Sequence, residues 1–554
     1  MSARTATREP APAVPSRPRI ADDVTVHAPD KEGAPWVIQR GRHRYFRVQT
    51  DLARLARAVD GTRDRTGLAE VLGPPWTPEA VDVAVRKLAD SQLLDDGTAD
   101  VGSKRRKNLT SWIRFAPPLT VQFTLLKPER LLRRLTPLIN ALAHRAAAVV
   151  AATAVLGGLL ALAAQGDELR TALGRPLPIA VYLAVACAML VTTCVHEMGH
   201  GAVLTYYGGR PSRMGVMLFY LSPAFFCDVS DGWRLSDKAH RVHVALAGIA
   251  TQLVIAGTGG IATLFVDAAT VRDGLMVFTV STYATGLLNL LPFIKLDGYI
   301  ALMSHLDLPH LRDRAMTDAR RFVARILFGG SGYHRELPHV RWSVAYGLAC
   351  LVFPCYIVAG ALGLWAGAAQ RLGGIGAALV LCGLGYFVYR LGRGFVRLLG
   401  EARAAGAHTA RLSLATSLAV AAVGGLLMWV KLPYSVSGGY VRDARGEVRL
   451  VLPPSADRSV IGKGTTVELF RSGLAGRDRT GSAVVTDGRG GNTTAPLSAF
   501  LPVRADGLPQ PAVGYPLTVT GTPADRIGTA QVNAGTLPLW DWLCTTYVAP
   551  AWRW

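Results

Sequence analysis

From Ile179 to Leu204 the chain is apolar for long enough to cross the roughly 30 Å hydrocarbon layer of a bilayer as a helix, yet this stretch contains His196-Glu197-Met198-Gly199-His200. Within lipid every backbone N–H and C=O must be satisfied inside the segment, which confines such a run to a helix. On a helix, two histidines four residues apart project from one face. Both imidazoles then reach a single zinc ion, while the glutamate between them addresses the water that zinc activates.

The rest of the chain suits that setting. Its 554 residues are 50% hydrophobic, which points to an integral membrane protein with soluble parts. Seven candidate spans lie near 141–164, 178–204, 243–266, 274–302, 342–366, 373–391 and 412–431. The loop from Ser304 to Arg341 carries Arg312, Arg314, Arg320, Arg321 and Arg325, and the loop after Tyr389 carries Arg390, Arg393, Arg397, Arg403 and Arg411. Positive loops are cytoplasmic, so seven spans threaded from a cytoplasmic start leave residues 433–554 outside. That region is rich in Gly, Pro, Thr and Val, with short alternating runs at Val448–Leu452, Thr466–Phe470, Ala483–Thr486 and Leu517–Thr520, and reads as a β-rich extracytoplasmic domain. Cytoplasmic basic loops account for the net charge of +21, which therefore does not call for a nucleic-acid partner. The seven cysteines, Cys187, Cys194, Cys227, Cys350, Cys355, Cys382 and Cys544, show no paired spacing of a disulfide framework or a thiolate zinc site. Residues 1–21 lack an apolar run behind a charged start, so they read as a disordered tail rather than a secretory signal.

Residues 22–98 are polar enough for a small cytoplasmic domain. Trp36-Val37-Ile38 and Tyr45-Phe46-Arg47-Val48 are strand-like, Leu52, Leu55 and Ala56 mark one helical face, and Val81, Val85 and Leu88 mark another. Thr77 is suited to cap that second helix and Pro78 to its first position. The composition is that of a small α/β winged-helix-like domain. The run Tyr45-Phe46-Arg47-Val48, Leu52, Leu55, Asp60-Gly61-Thr62, Leu68 to Leu72, Val85, Leu88 and Leu93-Leu94 resembles a PqqD-like domain. The resemblance implies a peptide partner, the leader of a ribosomally made peptide added as an edge strand. Residues 99–140, with Lys104-Arg105-Arg106-Lys107, Lys127, Arg130, Arg133 and Arg134, read as a basic juxtamembrane connector lying against the anionic headgroups of the bilayer.

Catalytic zinc takes three protein ligands and keeps one position open, so His196 and His200 need a partner. Asp297, in Asn289-Leu290-Leu291-Pro292-Phe293-Ile294-Lys295-Leu296-Asp297-Gly298, is an ionisable residue at membrane depth near the cytoplasmic end of the fourth span, and a bound dication would offset its desolvation. Both the second and fourth spans run inward, so the three side chains can share one depth. His240 and His243 follow Lys238 at the start of the third span and read as interfacial. Asp228 and Asp231 follow Met214–Phe226, an apolar stretch too short to span and marked by Ser222 and Pro223. It reads as a re-entrant segment or a membrane-embedded β-hairpin, whose edge could hold an unwound substrate as an added strand.

His196, Glu197 and His200, the Leu296-Asp297-Gly298 segment and the Leu246-Ala247-Gly248 opening of the intervening span closely resemble the site-2 protease family of intramembrane zinc metalloproteases, over residues 178–305. The resemblance implies one zinc ion held by His196, His200 and Asp297, with Glu197 as general base. Gly248-Ile249 and Gln252 stand where the family commonly has Gly-Pro and Asn; Gln252 and Asn289 are the candidate substrate-binding residues. Gly215–Arg241 is similar to the bacterial branch of peptide zinc metalloproteases, which fits a PqqD-like front end. The expected architecture is a polytopic α-helical membrane protein, with its membrane metalloprotease domain over 141–432. The expected activity is a zinc-dependent endopeptidase acting on a peptide or membrane-protein substrate, with leader removal or maturation of a modified peptide as its task. A non-catalytic export or immunity protein on the same scaffold is the alternative, and a di-iron hydroxylase lacks the several histidine boxes it requires.

Overall fold

Local chemistry carries directly into the N-terminal part of the structure, a computed structural model that describes residues 15–29, 35–41, 44–95, 113–116, 120–219, 222–370, 374–520 and 525–552. Strands β1 (Val24–His27), β2 (Trp36–Arg40) and β3 (Arg44–Val48) form an antiparallel sheet in that order, followed by α1 (Thr50–Ala58), α2 (Arg65–Leu72) and α3 (Pro78–Asp90). Asp64 caps α2 by accepting from Gly67 N, and Thr77 caps α3 by accepting from Ala80 N at 3.2 Å, with Pro78 in the first turn. Leu55, Ala56, Val81, Val85 and Leu88 meet Ile38 in one core, as their spacing predicts. The tail ends earlier than expected: Arg19 bridges Asp60 and Ile20 bridges Leu94, which lays this segment along the domain. Residues 1–14 of that tail and the basic run Lys104-Arg105-Arg106-Lys107 lie outside the described residues.

Further along come β4 (Ile113–Ala116), β5 (Thr120–Leu126), α4 (Glu129–Arg134), α5 (Thr136–Leu142), α6 (Arg145–Ala164), α7 (Gly166–Gly174), β6 (Leu177–Pro178) and α8 (Ile179–Tyr206). The hairpin β7 (Met214–Phe219) and β8 (Ser222–Cys227) precedes α9 (Lys238–Ala262), α10 (Ala269–Leu290), α11 (Asp297–Leu306), α12 (Leu311–Phe328), α13 (Ser343–Gln370), α14 (Gly374–Ala404) and α15 (Thr409–Trp429). The chain forms two compact units, one of Met1–Ala151, Leu190–Gln252 and Ile300–Asp307, the other of Ala152–Met189, Leu253–Tyr299 and Leu308–Trp554.

In the first unit the apolar stretch 214–226 is indeed a hairpin, but it is not alone. The connector supplies β4 and β5, giving a four-stranded antiparallel sheet of order β4-β5-β7-β8. The positive charges of 99–140 masked this in the sequence, because strand pairing at long range leaves no local trace beyond a short alternation.

Among the described residues six helices are long and apolar enough to cross a membrane: α6, α8, α9 with its continuation to Phe265, α13, α14 and α15. The segment 274–302, expected as one span, is instead the end of α10, a non-helical break at 291–296 and the start of α11. In the second unit the carbonyls freed by the break are taken up: Tyr346 Oη donates to Pro292 O at 2.6 Å and Arg312 Nε to Phe293 O at 3.0 Å. Irregular backbone at such a place persists only when its polar groups are satisfied by protein. Gly298 lets the chain fold back tightly, since a Cβ there would lie 2.0 Å from Leu290 O.

After α15 come β9 (Lys431–Arg442), β10 (Val448–Leu452), β11 (Thr466–Ser472), β12 (Arg477–Val485), β13 (Gly491–Pro496), β14 (Val503–Arg504), β15 (Pro509–Thr520), β16 (Ile527–Pro538) and α16 (Leu539–Leu543). Pairing runs β10-β9-β16-β11-β12-β15 and returns to β10, so six strands close a barrel and β13 adds to β15. Closure removes the exposed edges that an open sheet of this size would carry. Inward-facing Tyr440, Leu450, Leu452, Val467, Leu469, Ala483 and Val532 fill it. The barrel is tied to the start of α8 by β14, parallel to β6, and by Tyr182 Oη donating to Pro502 O at 3.1 Å.

On α12, Asp318 is 2% exposed and accepts from Glu336 N (2.6 Å), Leu337 N (3.2 Å) and Ser343 Oγ (2.9 Å), pinning the loop that leads into α13. Removing the carboxylate leaves these donors without an acceptor, at a cost of about 3 kcal/mol. Asp318→Ala is expected to lower the unfolding temperature of the detergent-solubilised protein by several degrees, with Asp318→Asn intermediate.

Candidate metal centre

Helix α8 is apolar on all sides, so its two imidazoles have no water to satisfy them and must find partners in protein. His196 and His200 are 4% and 5% exposed. Their partners come from α9, at four-residue intervals along one face: Val244, Gly248 and Gln252. Val244 O accepts from His200 Nδ1 at 2.7 Å. A carbonyl can only accept, so the proton of His200 sits on Nδ1 and Nε2 presents its lone pair. His196 Nδ1 meets Gln252 Oε1 at 3.1 Å, which selects the same tautomer. The two Nε2 atoms lie 3.3 Å apart. Two nitrogens bound to one tetrahedral zinc, each at 2.0–2.1 Å, are separated by about 3.3 Å.

Between Val244 and Gln252 sits Gly248. A Cβ there would lie 2.4 Å from His200 Nε2 and 2.6 Å from His196 Nε2, so the backbone of α9 approaches the pair only because this residue has no side chain. Gly199 does the same from the other helix, where a Cβ would meet Thr251 Oγ1 at 2.6 Å.

Glu197 lies between the histidines in sequence. One of its carboxylate oxygens, Oε2, accepts from Cys227 N at 2.8 Å. Cys227 ends β8, the last strand in the sheet order, and Glu197 thereby meets the hairpin on the side away from β7. Asp297 is the first residue of α11, where a negative charge suits the N-terminal end of the helix dipole. His196 and His200 belong to the first compact unit and Asp297 to the second.

The other candidates take different roles. His240 stacks on Tyr207 with ring centroids 3.9 Å apart, and His243 Nδ1 meets Tyr207 Oη at 2.6 Å. Asp228 accepts from Ser212 Oγ, Ser230 Oγ and Arg213 Nη2, and Asp231 accepts from Arg210 N, so both build the turn after the hairpin. Asn289 is part-exposed near the end of α10, while Gln252, a substrate-binding candidate by sequence, is the buried partner of His196. Sequence reasoning missed Val244, Gly248 as a steric requirement and the Cys227 N–H. The four-residue spacing of Val244, Gly248 and Gln252 is the signal that could have found the first two.

No model of a known protein family matches this chain, and neither do any of the curated proteins or solved structures compared with it.

Replacing a helical glycine by alanine ordinarily favours the helix by roughly 1 kcal/mol. Gly248→Ala is nevertheless expected to abolish metal retention by elemental analysis while helix content by circular dichroism is kept. Gln252→Leu should weaken metal affinity about 10–100-fold in a chelator competition, because His196 loses the group that orients it.

Proposed function

We propose that this chain is a zinc-dependent intramembrane endopeptidase in which His196, His200 and Asp297 hold one zinc ion and Glu197 moves the protons, as in the site-2 proteases it resembles. The observation that carries the reading is the pair of Nε2 atoms at 3.3 Å, both with their Nδ1 partners in place, beside a carboxylate on the intervening residue. When bound, zinc lowers the pKa of a water molecule and polarises a scissile carbonyl. Glu197 accepts the proton released on attack and returns it to the leaving amine, and the Cys227 N–H fixes the orientation of its carboxylate.

A helical substrate has its carbonyls tied into the i to i−4 ladder and must unwind before one can be attacked. Strand β8 ends beside Glu197 and stands last in its sheet, so its outer edge suits an extended substrate backbone as an added strand. The substrate we infer is the membrane-associated precursor of a ribosomally made, modified peptide, cleaved in leader removal or maturation. The resemblance of residues 22–98 to a PqqD-like domain supports this client. The basic residues ahead of the first apolar helix support a cytoplasmic N-terminal domain.

Purified protein is expected to hold one zinc per chain. Glu197→Gln should keep that zinc and lower cleavage of a precursor peptide by about 100-fold or more, whereas His196→Ala should lose both. A Glu197→Gln protein that cleaves as fast as the wild type, or a wild type that carries no stoichiometric zinc, overturns the proposal.

A further inference from the structure

Strand β9 turns alternate side chains inward, so Tyr440 and Arg442 point the same way, into one end of the C-terminal barrel. Two local features make room there. Gly528, opposite Tyr440 on β16, has no side chain, and a Cβ in its place would lie 2.6 Å from Tyr440 Cε1. Between β11 and β12 the register slips, pairing Leu469 with Gly481 and Phe470 with Arg479, which leaves Thr480 as the extra residue of a bulge. Bulges re-aim side chains that regular pairing would hold elsewhere.

At this end the apolar filling of the barrel gives way to polar groups. Arg471, on the same face of β11 as Val467 and Leu469, donates from Nε to Asp525 Oδ2 at 2.6 Å. With Asp525 so engaged, Arg442 has no carboxylate partner among the described residues. Tyr440 is fully buried, and burial pushes its phenol up, so it remains a donor at neutral pH. The Thr480 hydroxyl and the charges of Asp525, Arg471 and Arg442 all act on that phenol, which gathers these groups in one place.

Tyr440 Oη, Thr480 Oγ1 and Arg442 Nε are closed off from solvent without a hydrogen-bond partner. A guanidinium Nε–H can only donate, and both hydroxyls can donate as well. Leaving buried donors unmade is costly, most of all a charged one. A water molecule among them would bring two lone pairs and no charge, so it satisfies two donors and leaves Arg442 uncompensated. An oxyanion brings more lone pairs and the opposite charge, and arginine suits phosphate in particular. Arg442 as a whole is only half-buried, which leaves an ion a way in.

We propose that this end of the barrel binds a phosphate group through Arg442, Tyr440 and Thr480, with the Arg471–Asp525 pair as a fixed wall of the site. The phosphate is either a free ion or the headgroup of a lipid. The neighbouring turn between β11 and β12 rests on the end of α7, where Ala475 N donates to Leu173 O at 3.1 Å, and α7 joins two helices long and apolar enough to cross a membrane. The site lies wholly within the second compact unit and is independent of the metal-centre reading.

The test titrates inorganic phosphate into the full-length protein in a non-ionic detergent at constant ionic strength, with binding followed by calorimetry. One saturable site per chain is expected. Arg442→Met should weaken binding about 100-fold or more and Tyr440→Phe about tenfold, the latter being the worth of one hydrogen bond to a charged group. Arg449→Met removes an exposed arginine of the same barrel and should bind as the wild type does. Without phosphate, Arg442→Met should unfold at the wild-type temperature or above it, because it removes an unpaired cation; added phosphate should raise the unfolding temperature of the wild type but not of this variant. Nanodiscs containing phosphatidylglycerol separate the two sources: a headgroup in the site blocks inorganic phosphate, whereas a site for the free ion still takes it up. Absence of saturable binding in detergent overturns the inference and leaves water as the occupant, as does wild-type affinity in both Arg442→Met and Tyr440→Phe. Should Arg442→Met fail to fold, the affinity of Tyr440→Phe decides alone.

Discussion

The approach of α9 to the histidine face of α8 is the contact on which the rest of this molecule's chemistry depends. Imidazoles in an apolar helix are costly unless hydrogen-bonded, and α9 supplies the bonds from Val244 O and the Gln252 amide. Those bonds do two things at once. They offset the burial of two polar rings, and they place both protons on Nδ1, so that the Nε2 lone pairs converge at 3.3 Å. A side chain between them would fill the space where the lone pairs meet, which is why Gly248 stands between Val244 and Gln252.

The backbone irregularities around this contact follow from the same economy of polar groups. A hairpin and a broken helix expose N–H and C=O groups that an apolar setting penalises. The hairpin settles one edge by pairing with β5, and on its other side the Cys227 N–H is taken by Glu197. At the break after α10, Tyr346 and Arg312 take the carbonyls of Pro292 and Phe293. Each departure from regular helix is therefore paired with a specific donor or acceptor. Such departures also aim side chains as straight helices cannot, since Asp297 begins a new helix rather than continuing α10.

Much of the site was legible in advance, and unevenly so. His196, Glu197 and His200 announce themselves by spacing within a single helix, and Asp297 by its charge in an apolar run. Thr77 and Pro78 are equally local, and the cap forms where their chemistry places it. The ion pair of Arg47 with Asp307 was not legible, because the two are 260 residues apart and neither residue type is unusual where it stands. The pairing of β5 with β7 escaped for the same reason, hidden beneath a charge pattern that suggested only a connector. Gln252 is the instructive case: its position was noticed, but a role in orienting a histidine rather than binding a substrate depends on which ring it faces.

What the amino-acid sequence determined by itself is whatever depends on neighbours within a few residues: which stretches are apolar helices, which alternate as strands, where helices are capped, and that two histidines and a glutamate share one helical face. Tertiary structure alone decided which nitrogen of each histidine carries the proton, that a glycine must lie against them, that the connector completes a sheet, and that six C-terminal strands close into a ring. The physical reason is range. Helical periodicity and capping are set by bonds three or four residues apart, whereas a tautomer, a close approach or a barrel's closure is set by groups that meet only after the chain has folded.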